Sequence, residues 1–171
     1  ARLVLAPRRP ERFEEVAALL AARGLCFVRC SELVRREHAG WPAEVPILLL
    51  DTLGELAGLY AGARAAFVGG TLAPVGGHNL LEPAAQGVPV VFGPHVASTE
   101  EAAVRLLAGG GGVQVQDAGE LATELLHFFA DPETARTAGL RARATVAASQ
   151  GALAVTLAVV RGVLARTAGE P

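Results

Sequence analysis

The 171-residue sequence contains no lysine and no methionine. All fifteen basic residues are arginine, which excludes a Schiff-base lysine and the lysine of a phosphate-binding P-loop. Charged residues make up only 19% of the chain and aromatic residues 5%. With a formal net charge of −2 there is no basic footprint for nucleic acid. The two cysteines, Cys26 and Cys30, have no second pair nearby and make a poor zinc-ligand set. They read as reduced, partly buried thiols. Long apolar runs are also missing. The longest uncharged stretches, 65–81, 83–99 and 144–160, are seventeen residues each and are interrupted by glycine, proline or polar residues. A membrane-spanning helix needs about 18 or more apolar residues in a row. No leader pattern opens the chain, so a cytoplasmic address is expected. A start that runs straight into a strand, Ala-Arg-Leu-Val-Leu, is expected of a piece of a longer protein.

What is present is 51% apolar sequence in which strand and helix patterns alternate. Strands are expected at 2–6, 25–29, 47–50, 65–68, 88–92 and 111–115. Helices are expected at 10–23, 53–61, 80–86, 99–108 and 119–130, with two more between 132 and 166 that break near Gln150 and Gly151. Residues 31–46 read as an irregular connection, 109–112 as a flexible turn and 167–171 as a frayed tail. Six short apolar strands separated by helices imply an α/β domain over 1–166. Its sheet would be parallel and doubly wound, with helices on both faces.

Open sheets of this kind take ligands outside the carboxyl ends of their strands. Three segments lie there: APRRPER, DTLGEL and GGTLAPVGGHNLLEP. In the last, Gly76, Gly77, His78 and Asn79 could cradle a phosphate on backbone amides, with a helix starting near Asn79. Glu82, about one turn in, could accept hydrogen bonds from a ribose diol. Asn79 and Glu82 equally fit a capping box, as do Thr52 with Glu55, Ser98 with Glu101, and Asp117 with Glu120. The residues alone leave both readings open. Arg8 and Arg9 either fork onto an anion or stand solvated before Pro10. His78 and His95 read as loop hydrogen-bonders, not as bases. No carboxylate pair at metal-ligand spacing lies near the loop, so neither a metal nor a cofactor is expected.

The string DT-x-GEL, a gap, FVGG and then GGHN-x-LEPA, with APRRPERF at the start, resembles the C-terminal half of bacterial 3-deoxy-D-manno-octulosonic acid (Kdo) transferases. The resemblance runs from Arg2 to about Leu164. It implies a Rossmann-like domain that is one half of a GT-B glycosyltransferase and binds the donor CMP-Kdo. Carried over by motif, the CMP contacts would be Pro7 and Arg8, then Leu53, Gly54 and Glu55, then Asn79, Leu80, Leu81 and Glu82. Arg9 departs from the family, which usually has histidine there. The family's catalytic carboxylate, its acceptor site for a lipid A precursor and its membrane-associated surface at the cytoplasmic face of the inner membrane belong to the N-terminal domain. That domain is not in this sequence, so no catalytic residue is expected here and the chain alone should transfer nothing. Competing readings are a UDP-sugar transferase or epimerase of the same architecture, and a non-catalytic nucleotide-binding module.

Overall fold

The computed structural model describes residues 1–35 and 40–149. The second of the two helices expected between 132 and 166, past the break near Gln150 and Gly151, and the tail at 167–171 lie outside the described residues. The chain divides into two compact units, Ala1–Leu59 and the residues from Tyr60 onward.

In the first unit, β1 (Leu3–Leu5) leads through a 3-10 turn (Pro10–Arg12) into α1 (Phe13–Ala22). The helix expected from residue 10 therefore opens as a tighter turn, headed by a proline that has no N–H to donate. Ala17 and Leu20 are the buried residues of α1. β2 (Phe27–Arg29) runs directly into α2 (Cys30–Arg35), inside the stretch read as irregular. The reason lies twenty residues away: the Asp51 carboxylate accepts from Ser31 N–H (2.8 Å) and from the Ser31 hydroxyl (2.7 Å), fixing the start of that helix. β3 (Ile47–Leu49) takes the middle of a parallel sheet ordered β1-β3-β2. All three of its residues are buried, whereas those of the flanking strands are not. After Gly54, which has positive φ (106°), α3 (Leu56–Tyr60) begins three residues later than the periodicity implies.

The second unit runs β4 (Ala66–Val68), α4 (Leu81–Ala85), β5 (Val90–Phe92), α5 (Glu100–Gly109), β6 (Gly112–Gln114), α6 (Ala118–Ala130) and α7 (Pro132–Ser149). Its sheet is parallel with order β4-β5-β6. The six expected strands are thus all present, hydrogen-bonded as two sets of three, one in each unit, and parallel within each set. Val90, Val91 and Phe92 have no solvent exposure. Successive strand residues point to opposite faces. Accordingly Val90 and Phe92 pack with Leu80, Ala84, Ala103, Leu106 and Ala142, while Val91 packs with Val115, Phe128 and Ala135. Helices therefore cover this sheet on both faces, which is why VPVVF reads as unbroken apolar sequence instead of alternating. Among the described residues no helix is long and apolar enough to cross a membrane.

Two close fits hold the unit. The first is at α7, where small residues let backbones meet: a Cβ on Gly139 would stand 2.0 Å from the Gly87 carbonyl oxygen. The second joins the ends of β4 and β5. The Thr71 hydroxyl, in a residue with no exposure, donates to Val68 O (2.6 Å) and accepts from Gly93 N–H (2.8 Å). Gly93 has no room for a side chain, since its Cβ would fall 2.3 Å from the Thr71 carbonyl oxygen.

Gly139→Ala is expected to destabilise the protein by about 1–3 kcal/mol in urea unfolding, because the methyl meets backbone instead of a movable side chain. Gly58→Ala, in α3 with open space around it, should be neutral or slightly stabilising in the same measurement. Thr71→Val keeps the shape but strands the Gly93 N–H and the Val68 carbonyl. It should lower stability by about 1–3 kcal/mol.

Candidate functional site

In the first unit the site is organised by strand adjacency. β1 and β3 are neighbours, and Leu50 N–H continues their pairing onto Leu5 O at 2.9 Å. The segments that follow, one carrying Pro7 and Arg8 and the other Leu53, Gly54 and Glu55, therefore leave the same edge side by side. Arg8, Gly54 and Glu55 are exposed, and Leu53 holds an apolar side chain 76% exposed to solvent. The Thr52 hydroxyl is buried and has no hydrogen-bond partner, so the 52–55 match does not form a cap. What anchors this loop is Asp51, whose side chain is only 5% exposed. Besides its two bonds from Ser31 it faces the Arg29 guanidinium at 3.7 Å. Arg29 in turn forks onto Glu14 at 2.6 and 2.7 Å, which holds that carboxyl below its usual range. The sequence reading passed over Asp51. Its signal is an acid set directly after the four-residue apolar run 47–50.

In the second unit the loop after β4 is built against the loop after β5. His95 N–H donates to Thr71 O (2.9 Å), and Ser98 reaches back to the carbonyls of Gly76 and Gly77. Gly77 is buried, and its N–H donates to Gly70 O at 2.8 Å. The His78 ring lies over Gly70, 3.3 Å from where a Cβ would stand. The phosphate cradle expected at 76–79 thus has one of its donors, Gly77 N–H, already engaged within the chain.

The helix expected to start near Asn79 starts at Leu81, with Leu80 as its flanking residue. Asn79 Oδ1 accepts from Leu81 N–H (3.0 Å), and the Asn79 amide donates to Glu82 Oε1 (3.1 Å). The pair therefore bond side chain to side chain instead of closing a capping box. Leu80 is wholly buried; Leu81 and Glu82 are exposed. Burial pushes the Tyr60 phenol above its ordinary range, and the negative charge of Glu82 adds to the rise.

The four sequence matches to the capping template separate cleanly. Only in the Asp117 and Glu120 match do both side chains reach backbone amides at the helix start, with Asp117 accepting from Gly119 and Glu120 amides (2.7 and 2.9 Å) and Glu120 from Gln116 N–H (2.7 Å). Ser98 bonds another loop, and the N-cap of α5 is Thr99, whose side chain makes no capping bond. Among the described residues no three His, Cys, Asp or Glu side chains group so as to hold a metal ion.

No family model matches the chain. Individual proteins do. The 3-deoxy-D-manno-octulosonic acid transferase of Bordetella pertussis is 40% identical over 156 residues, which is 91% of this chain and 35% of that protein. The enzyme of the same description from Haemophilus influenzae is 40% identical over 128 residues, 72% of this chain and 29% of that protein. The chain thus spans about a third of the length of these relatives. Among solved structures, the C-terminal CMP-Kdo binding domain of WaaA from Acinetobacter baumannii matches with a TM-score of 0.76 and 31% identity. That match covers 85% of this chain and 73% of the other. With the parallel α/β architecture shared and the identity spread over most of both chains, this chain belongs to the 3-deoxy-D-manno-octulosonic acid transferase family, in the part that forms its C-terminal domain.

Proposed function

We propose that this chain is the donor-binding part of a Kdo transferase and that it binds CMP-Kdo. The contacts would be Pro7, Arg8, Leu53, Gly54 and Glu55 in the first unit, and Asn79, Leu80, Leu81 and Glu82 in the second. The observation that carries this reading is the similarity to a solved domain described as CMP-Kdo binding. It is supported by the position of every one of these residues in a segment that follows a parallel strand, at the edge where open sheets take ligands.

The side chains suggest a division of roles. Arg8 carries a permanent charge in a planar fork suited to phosphate oxygens. The phosphate is assigned to Arg8 on that charge and shape, and the Gly77 amide, bonded to Gly70 O, is left to hold the loop. Glu82 has one oxygen engaged by Asn79, and its remaining acceptor capacity suits a ribose hydroxyl. Leu80 can contribute only through its backbone, since its side chain lies in the core.

In the complete enzyme, Kdo would pass with inversion to a hydroxyl of a lipid A precursor. A carboxylate of an N-terminal acceptor domain would take the hydroxyl proton, and Arg8 would stabilise the charge on the departing CMP. That domain would also hold the enzyme at the cytoplasmic face of the inner membrane. Residues 1–166 form the nucleotide-sugar domain in this scheme.

Calorimetric titration with CMP and UDP tests the proposal. The chain is expected to prefer CMP. Arg8→Ala and Glu82→Ala should each weaken CMP binding about tenfold or more, as loss of a charge-assisted contact does. Kdo transfer by this chain alone should be absent. Preference for UDP, or CMP affinity indifferent to both substitutions, would overturn the assignment.

A further inference from the structure

Ser98 lies outside every segment assigned above to the nucleotide, and it is exposed, so burial does not explain its bonding. Its hydroxyl donates to Gly76 O at 2.5 Å and lies 3.1 Å from Gly77 O, while its own N–H donates to Gly76 O at 3.1 Å. One residue of the β5–α5 loop thus grips two successive carbonyls of the β4–α4 loop. A trans peptide unit is planar, so fixing a carbonyl fixes the opposite direction of the next N–H. Holding Gly76 C=O aims Gly77 N–H, which meets Gly70 O at 2.8 Å. Holding Gly77 C=O aims His78 N–H and, through it, the chain entering Asn79. Both glycines have positive φ, 91° and 81°, and backbone without Cβ has the widest range of shapes to lose.

The geometry points to Ser98 as a positioning residue for the donor site, a strut that keeps the Gly76-Gly77 turn in the one shape that presents Asn79 and Glu82 to the nucleotide. This rests on the reading that residues 79–82 contact CMP. Ser98 touches no substrate itself. It acts through the loop it holds.

Two variants of this chain, compared with wild type, separate positioning from plain stability. Ser98→Ala should weaken CMP binding about five- to tenfold, the size of one lost hydrogen bond. Its urea midpoint should stay at the wild-type value, because an exposed side chain contributes little to global folding. Ser98→Thr, which keeps the donor, should restore the affinity. In the nucleotide-free protein, the Gly77 and His78 amides should shift and exchange faster in Ser98→Ala than in wild type. Unchanged CMP affinity in Ser98→Ala while wild type binds would overturn the strut and leave the nucleotide assignment standing. Failure of the wild-type chain to bind CMP at all would instead remove that assignment, and the strut with it. An affinity loss that Ser98→Thr does not rescue would also count against Ser98.

Discussion

A loop rich in glycine has no fixed shape of its own, and the second unit depends on what holds the loop after β4 in place. The hold comes from β5. Its three residues are sealed from solvent on both faces, so β5 can neither shift register nor twist without opening one of two cores. Directly past its end, Gly93 lies against Thr71, and the Thr71 hydroxyl meets the Gly93 amide and the Val68 carbonyl together. From that fixed point residues 93–99 reach back through His95 and Ser98. Core packing, loop geometry and the placement of Asn79 and Glu82 are consecutive links of one chain of causes.

The first unit solves the same problem with charge. Asp51 stands where the chain leaves β3, and two hydrogen bonds from Ser31 with the facing Arg29 satisfy an acid that would otherwise be costly to bury. The same carboxylate that fixes the start of α2 therefore sits two residues ahead of Leu53 and steadies the departure of that loop. Central β3, buried throughout, gives it a rigid base.

Both units place their candidate contacts in loops or at a helix start, and the groups that support them lie just past the ends of strands. This division lets contact residues stay exposed, as Arg8, Glu55 and Glu82 are, while their positions are set by buried groups such as Thr71 and Asp51. It also explains why Leu80 and Glu82, two apart in a single motif, have opposite fates: one is core, the other solvent. Leu80 packs into the core just ahead of α4, whereas Glu82 lies in the exposed part of its first turn.

The sequence by itself determined the alternation of strands and helices, the parallel α/β class, the family and the loops that follow the strands. These depend on hydrophobic period, on turn residues and on contiguous motifs, all of which are local and survive in a linear reading. Only the tertiary structure decided the order β1-β3-β2, the two sets of three strands, the helix hidden at 30–35 and the start of α4 at Leu81 instead of Asn79. It also decided which of four identical-looking capping patterns was a cap and which residue was a strut. A carboxylate or hydroxyl takes whichever partner folding brings within about 3 Å. For Asp51 and Ser98 those partners lie about twenty residues away along the chain, where no local pattern can announce them.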